Sequence, residues 1–312
     1  MNKIFFYSIL IVLLNTLLSA QMKPINFMPS SQKSSKFMGI TILDAKVLSF
    51  KPLKGIEFTE VSALAYDQRR SRLYGLSDHG YLYHLNVSVK RDKLKKIKLL
   101  EAYELRNKKG KKFKKSKRDS EGLDVTDKGL VISFEKKPRV SLFSPKGKEI
   151  KEYSLHKKLR DVKAYQDKNY ALEAVISHPK YGIITAPEIP LKKEDETIHT
   201  LYAKKKKWHF EAKGYIKAIE TMEDGSILVL EKSYKSSKKR RIVSLTKVHI
   251  QGCKSKLCPS ETIALFDQKD GWDLDNFEGM TRLENNRYLM ISDDNDSPKQ
   301  KCILVLFEVN NK

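Results

Sequence analysis

Short apolar runs separated by polar turns recur along most of the chain and predict β-strands rather than helices. From about residue 40 onwards, β-branched and aromatic residues cluster in runs such as 130–134 and 227–230, and Gly, Asp, Asn and Pro lie between the runs. A helical spacing of apolar positions is almost absent. The pattern therefore predicts an all-β fold.

Five segments share one arrangement, in which two apolar strands flank a polar turn and acidic residues lie near the strand ends. They cover residues 62–78, 121–135, 173–188, 218–231 and 278–293. Hairpins that repeat about every fifty residues are typical of the blades of a β-propeller with a central channel. A β-sandwich is the alternative fold, but it does not account for the repeated hairpin.

The two ends of the β-rich region are expected to close the propeller. Segment 39–50 and the apolar run 303–309 both have the composition of strands. If they share a blade, the ring is sealed and no exposed edge remains. Five hairpins with a shared blade fit five or six blades, and we favour six.

The first twenty residues have the pattern of a signal peptide. Lys3 precedes the apolar stretch 4–18, and Ser19 and Ala20 supply the small residues that a signal peptidase requires. The stretch is short for a membrane span, so an uncleaved anchor is the less favoured alternative. We expect cleavage, a periplasmic or secreted monomer, and no stable membrane span afterwards.

After residue 20 the chain divides into two further parts. Residues 21–40 are polar and rich in turn formers, which predicts a flexible linker, and residues 41–312 form the predicted propeller domain. The short spacing of Cys253 and Cys258 predicts a local disulfide in an oxidising compartment. Cys302 lies in an apolar run and is interpreted as a small buried hydrophobe.

The charge balance is strongly basic, with 61 Lys and Arg against 38 Asp and Glu and a formal net charge of +23. In an exported protein we do not expect nucleic acid as a partner. The densest basic run, residues 108–118, has one aromatic residue and no stacking pattern. We interpret it as a solvated loop, and the alternative is that it steers an anionic substrate or contacts an anionic membrane surface.

The hairpin geometry brings the acidic strand ends together, because the first residue of one strand lies beside the last residue of the next. The expected neighbours are Glu121 with Glu135, Glu173 with Glu188, and Glu278 with Asp293. Radial repetition then predicts a ring of carboxylates at one mouth of the channel. Such a ring needs a cation, shared protons or full solvation, and hard oxygen ligands favour Ca²⁺. The alternative is that these acids end strands in solvated turns.

The fourth hairpin of this series, residues 218–231, breaks the acidic pattern. Lys217 stands where an acid is expected, while Glu231 keeps an acid at the second strand and Lys232 follows it. A gap in the ring beside a cation suits an anionic ligand that contacts both a metal and Lys232. His79 is the residue that we would test first as an acid–base group.

The order of the acidic motifs resembles the esterase-like phytase family. The motifs are Ser77-Asp78, Asp119-Ser120-Glu121-Gly122-Leu123, Asn169-Tyr170-Ala171-Leu172-Glu173, Leu228-Val229-Leu230-Glu231-Lys232 and Asn276-Phe277-Glu278-Gly279-Met280 with Ser292-Asp293-Asp294-Asn295. The resemblance covers about residues 58–309. Lys232 stands where the family usually has Arg, and Asp296 where it often has an aromatic residue.

The resemblance implies hydrolysis of a small anionic phosphoester or ester, with a divalent metal, expected to be Ca²⁺, as cofactor. We assign Glu121, Glu173, Glu278 and Asp293 to the metal. The residues assigned to the substrate are Asp78, Glu135, Asn169, Glu188, Glu231 and Lys232. A propeller that only binds a cation or ligand, and a lactonase-like hydrolase, remain alternatives, and the sequence leaves open whether the protein is an enzyme.

Overall fold

The computed structural model describes residues 21–235 and 240–310, and the predicted signal peptide lies outside them. These residues form an all-β domain of five sheets. The first three strands in the chain are β1 (Gln21–Pro24), β2 (Lys36–Phe37) and β3 (Ile40–Ser49). They belong to the same sheet as the C-terminal strands, which is described below as blade 5. No helix in the described ranges is long and apolar enough to cross a membrane.

Four sheets have four antiparallel strands each, in chain order from one edge to the other. Blade 1 contains β4 (Val61–Asp67), β5 (Arg72–Ser77), β6 (Tyr81–Lys90) and β7 (Lys93–Glu104). Blade 2 contains β8 (Ser120–Thr126), β9 (Gly129–Phe134), β10 (Arg139–Phe143) and β11 (Glu149–Tyr153). Blade 3 contains β12 (Leu172–His178), β13 (Gly182–Pro187), β14 (Ile198–Ala203) and β15 (Lys207–Glu211). Blade 4 contains β16 (Tyr215–Thr221), β17 (Ile227–Lys235), β18 (Arg240–Val248) and β19 (Ser260–Asp267).

Blade 5 closes the ring with strands from both ends of the domain. It contains β20 (Asn276–Arg282), β21 (Arg287–Asp293) and β22 (Ile303–Val309), and β22 pairs with β3. Strands β1 and β2 pair with β3 in turn. The predicted sharing of a blade is confirmed, but the preference for six blades is wrong. The terminal strands complete the blade of the last hairpin instead of adding one, so the propeller has five blades.

The first strands of the blades surround the channel. Strand β4 packs beside β8, β8 beside β12, β12 beside β16, β16 beside β20, and β20 beside β4 again. Five apolar cores lie one between each pair of neighbouring blades. In β9, for example, Ile132 faces blade 1 while its neighbour Val131 faces blade 3. Both faces of a blade are buried, which is why its strands are continuous apolar runs rather than alternating ones.

Residues 21–40, for which the sequence predicts a flexible linker, pack on the propeller instead. Besides forming β1 and β2, this segment buries Phe27 against Phe266, Trp272 and Phe277, with ring centroids 5.4–5.8 Å apart. Burying an aromatic ring of this size contributes substantially to stability, and it ties a segment that is otherwise polar to blades 4 and 5.

Short connections complete the domain. The 3₁₀ helices of the described residues are Gln68–Arg70, Lys115–Lys117, Lys157–Leu159, Val162–Ala164 and Gln268–Asp270. The predicted disulfide between Cys253 and Cys258 is present, with Cα atoms 5.6 Å apart. Cys302 is buried as a free cysteine, as its apolar run predicts.

Candidate functional site

Every inner strand has a β-bulge at the same place. In each blade the pairing with the second strand skips one residue just after the strand begins. A bulged residue is released from the ladder, and its side chain is re-aimed. We call the five bulged residues the bulge ring: Ser62, Glu121, Glu173, Lys217 and Glu278.

A second set of five residues, which we call the rim ring, lies at the ends of the second strands. Each pairs with the residue two positions before the bulge, as Glu135 does with Asp119 (N···O 3.0 Å) and Glu188 with Ala171 (N···O 2.9 Å). The members of the rim ring are Asp78, Glu135, Glu188, Lys232 and Asp293. The same mouth of the channel therefore receives both rings.

Lys217 lies among the carboxylates of the bulge ring. Its Nζ atom is 2.6 Å from Glu173 Oε1, 2.8 Å from Glu188 Oε1 and 3.4 Å from Glu278 Oε1. Burial alone would lower the pKa of Lys217, but these carboxylates raise it well above its usual value. Because breaking such a buried pair leaves an uncompensated charge, Lys217 is a central element of the site.

Lys232 adds a second positive charge from the same blade. Its Nζ atom donates to Glu278 Oε1 at 2.8 Å and to the side-chain oxygen of Asn276. The Asn276 amide donates to Glu278 at 2.9 Å and to Asp293 at 3.3 Å. Burial tends to raise the pKa of Glu278, but Lys217 and Lys232 outweigh it and lower this pKa to about 2. This side of the mouth is therefore neutralised by lysine.

The opposite side, where blades 1 and 2 meet, is rich in carboxylates, and we call it the acidic arc: Glu60, Asp78, Asp119, Glu121 and Glu135. Asp119, Glu121 and Glu135 each offer an oxygen within 4.8 Å of the others. Glu60 and Asp78 form a second such group together with His79. Lys136 is the lysine that pairs with the arc, 2.9 Å from Asp119.

Electrostatics show that the arc is under-neutralised. Burial, and after it the charges of Glu60, Asp293 and Asp119, raises the pKa of Asp78 to about 8. Burial and nearby carboxylates also raise the pKa of Glu135 to about 8. The Oδ1 atom of Asp78 is buried, and no donor in the described part of the chain forms a hydrogen bond to it. Protons or a cation are needed to hold this arc together.

The sequence-derived site residues fall into two groups. Glu121, Glu135, Glu173, Glu188, Glu278, Asp293, Asp78 and Lys232 meet at the mouth, and the three expected pairs of acids are neighbours there. Asn169 is exposed in the loop before β12, where its backbone N–H bonds to Asp167. His79 is 44% exposed, with Nδ1 2.7 Å from Glu60 Oε2 and Nε2 4.0 Å from Asp78 Oδ1.

Glu231 does not reach the channel mouth. It pairs with Ile216, one position deeper than the rim ring, and is fully buried within blade 4. Its carboxylate accepts from Lys213 N at 2.9 Å and from Ser244 Oγ at 3.2 Å. The register gives the rim position of this blade to Lys232, since a shift by one residue reverses the face of a side chain.

The sequence-based assignment misses three residues of the candidate site: Glu60, Asp119 and Lys217. Glu60 and Asp119 each lie two positions before the bulge of their strand. Of the two, only Asp119 belongs to one of the motifs that resemble the family. Lys217 is visible in the sequence as a break in the pattern, but its contacts with three carboxylates from neighbouring blades are not. The repeat of the bulge position is the signal that identifies all three.

The sequence model of the family described as Phytase-like, esterase-like activity of phytase, matches residues 56–296. The chain belongs to this phytase-like family. The match includes every residue of both rings and of the acidic arc. The family suggests a hydrolase-type function that depends on a metal ion. The acidic clusters of this phytase-like protein fit such an ion.

Other comparisons concern less specific similarity. No curated protein sequence matches the phytase-like chain. Among solved structures, the Cps50 (Swd1) β-propeller domain of Myceliophteria thermophila is 9% identical, with a TM-score of 0.44, covering 94% of this chain and 100% of that one. The Dos1 propeller is 8% identical, with a TM-score of 0.34, covering 88% and 76%. Neither resemblance bears on function at this level.

Proposed function

We propose that this phytase-like propeller is an exported hydrolase that cleaves a small anionic phosphoester with the help of a divalent metal ion. One observation carries the proposal. The same mouth has the acidic arc at the junction of blades 1 and 2 and, across the five-membered ring on blade 4, the two lysines Lys217 and Lys232. Opposite charges on facing sides suit an anion that contacts a cation and a lysine together.

The acidic arc fits a hard divalent cation such as Ca²⁺. Asp119, Glu121 and Glu135 supply three carboxylate oxygens at compatible separations, and none of the three pairs with Lys217 within 4 Å in the described structure. Calcium takes six to eight oxygen ligands, so water and substrate oxygens would complete the set. When bound, such an ion supplies a Lewis acid for the phosphoryl oxygen and a more acidic water.

The residues of the chain itself provide orientation and proton transfer. Lys232, whose side chain is 17% exposed, is the more accessible lysine for an anionic oxygen of the substrate. His79 Nδ1 lies 2.7 Å from Glu60 Oε2 and its Nε2 lies 4.0 Å from Asp78 Oδ1, which places the imidazole beside the acidic arc for proton exchange with water. Glu188 and Glu173 hold Lys217 and so keep its charge inside the ring.

We place this activity in the periplasm or outside the cell. The predicted signal peptide motivates this location, and the disulfide between Cys253 and Cys258 supports it, because disulfides persist in oxidising compartments. A monomer that turns over a small soluble ester needs no nucleic-acid or membrane partner.

Calcium binding and turnover can be tested separately. Isothermal titration of the metal-free protein with Ca²⁺ is expected to show binding that Glu121→Gln weakens by about tenfold or more. Asp195→Asn, a matched change at an exposed acid outside both rings, should leave affinity unchanged. A phosphoester and lactone panel, with and without chelator, then measures activity. Lys232→Met should reduce phosphoester turnover while calcium affinity is kept.

The outcomes separate the alternatives. Binding of Ca²⁺ without turnover of any ester would favour a propeller that only binds ligands. Turnover of lactones and not phosphoesters would favour the lactonase-like alternative. Hydrolysis that is equal with and without chelator, in a protein that binds no divalent ion, would overturn the proposal.

A further inference from the structure

A broad groove opens at the same end of the propeller, outside the two rings. It has a volume of about 1340 Å³ and lies between the loop before β8, the turn after β9 and the loop before β12. Its lining contains eight lysines and Arg139, against the three acids Glu149, Glu152 and Asp167. We call it the basic groove. Its charge is opposite to that of the acidic arc, which it meets at Lys136.

Most lysines of the basic groove form no ion pair with a carboxylate in the described part of the chain. Lys112 pairs with Glu104 and Lys136 with Asp119. The remaining six are exposed and form no ion pair with a carboxylate of the described residues. They are Lys111, Lys114, Lys117, Lys137, Lys168 and Lys192. Like charges concentrated along facing walls repel one another and create a positive potential for an anion.

Arg139 lies in the floor of the groove and is only 9% exposed. Its guanidinium stacks 3.6 Å from the ring of Phe134 and 5.1 Å from that of Phe113. It donates to the carbonyl of Lys117 at 2.6 Å and to that of Lys137 at 3.3 Å, and so joins the backbones of the two walls. No carboxylate of the described chain forms an ion pair with it within 4 Å. Glu149 and Glu152 act on Arg139 only through longer-range charge interactions, which leaves close contact with the guanidinium to a bound anion.

We propose that the basic groove binds a linear anionic chain that carries phosphate or sulfate groups at regular intervals. The unpaired lysines are spread over both walls of a volume larger than a typical small-molecule pocket, so a single phosphoester would leave most of them unused. Arg139 fits the planar recognition of a phosphate or sulfate group. The groove is therefore a second site, distinct from the acidic arc, and its binding does not depend on the hydrolase activity.

Linear inorganic polyphosphate is the probe for this site, with orthophosphate as the short comparison. Fluorescence-detected binding at about 0.1 M salt should show affinity for polyphosphate and a much weaker response to orthophosphate. The double variant Lys114→Glu with Lys137→Glu should lose affinity by about tenfold or more and show a shallower salt dependence. A sulfated glycan measured in parallel identifies whether phosphate or sulfate chains are preferred.

The matched control is Lys95→Glu with Lys96→Glu, which changes the net charge equally. Both control lysines are exposed on β7 and do not line the groove. Their replacement should alter the affinity by no more than about twofold. Equal losses in both double variants, or no binding of polyphosphate by the folded wild-type protein, would overturn the proposal. Thermal unfolding of each variant confirms that folding is retained.

The site can also be separated from the proposed hydrolase centre. Glu121→Gln should leave polyphosphate affinity unchanged, and the Lys114 and Lys137 double variant should retain Ca²⁺ binding. Loss of polyphosphate binding in Glu121→Gln would show that polyphosphate binds through the acidic arc. The separate groove site would then be abandoned, while the proposed function would stand.

Discussion

Lys217 shows how a single residue can change the chemistry of a repeated site. At the equivalent position the neighbouring blades have Glu173 and Glu278, and Lys217 contacts both and Glu188 as well. The lysine replaces a carboxylate by a cation, so the ring gains a positive charge and loses a negative one in a single step. The acidic character that remains is concentrated in the arc of blades 1 and 2.

Replacing Lys217 by Met should therefore be strongly destabilising. The free energy of unfolding at neutral pH is expected to fall by about 3–5 kcal/mol, because three buried carboxylates lose their counter-ion. Urea unfolding measures it, and Lys128→Met at an exposed turn should change it by less than about 0.5 kcal/mol. The loss should be smaller at pH 5, because the buried carboxylates of the variant, deprived of their lysine, take up protons more readily at lower pH. An equal loss at both pH values would contradict this role.

The pKa values of the acidic arc predict a pH-dependent stability of the metal-free protein. In the folded state the pKa of Asp78 and that of Glu135 are raised to about 8, mainly by burial and next by neighbouring carboxylates. In the unfolded chain these groups lose their protons near pH 4. The folded state thus holds more protons between these limits, so stability falls as the pH rises from about 4 to about 8.

Unfolding measured in chelator across this range should show the decline, and Glu135→Gln should make it shallower. Added Ca²⁺ should raise stability most at the alkaline end, where its carboxylate ligands are free of protons. A stability of the metal-free protein that rises steadily from pH 5 to pH 8 would show that the arc is not buried as described.

At the scale of the strand, the bulge and the residue after it explain how neighbouring blades approach one another. Blades 1, 3 and 4 have Ala63, Ala174 and Ala218 after the bulge, whereas blades 2 and 5 have Gly122 and Gly279. A Cβ atom at Gly122 would lie 2.6 Å from the Glu173 carbonyl oxygen and 2.8 Å from Val175 N. A glycine is needed here because the next inner strand, β12, leaves no room for a Cβ atom, and not because of an unusual φ angle.

The variant Gly122→Ala should push β8 away from β12. We expect a loss of about 1–3 kcal/mol in the free energy of unfolding, together with weaker Ca²⁺ binding, because Glu121 is the adjacent residue. Gly75→Ala in β5 is the control, since a Cβ atom there has neighbours at ordinary distances of 3.6–3.7 Å. Chemical unfolding and calcium titration of both variants make the comparison. Equal effects would show that the inter-strand contact is not the cause.

At the scale of the whole molecule, the propeller depends on a pairing between its two ends. Strand β3 pairs with β22 from Ile303 opposite Val47 to Val309 opposite Ile40. Without β3, the edge of β22 in blade 5 would expose unpaired backbone groups and an apolar face, which promotes association between chains.

A chain shortened to begin at residue 51 should therefore lose cooperative thermal unfolding or aggregate, as judged by circular dichroism and size-exclusion chromatography. A chain that begins at residue 21 keeps β1 to β3 and should remain folded and monodisperse. If both shortened chains unfolded at the same temperature, the closure would not contribute to stability as inferred.

The sequence by itself determined the all-β class, the repeated hairpin, the disulfide and the convergence of Glu121, Glu173 and Glu278. The first three follow from local rules, because strand pattern, turn residues and short cysteine spacing depend on neighbours in the chain, and the convergence follows from repetition of the hairpin around the channel. The closing partnership of segments 39–50 and 303–309 was also predictable from the need to cover an edge.

Only the tertiary structure decided the register, the number of blades and the balance of charge. Lys232 rather than Glu231 reaches the rim because Lys232 pairs with Tyr215, two positions before the bulge, and no local pattern reveals that register. The count of five depends on which hairpin the terminal strands join, a pairing across more than 250 residues of chain. Lys217 neutralises carboxylates from three different strands, and such contacts exist only once the blades pack around the channel.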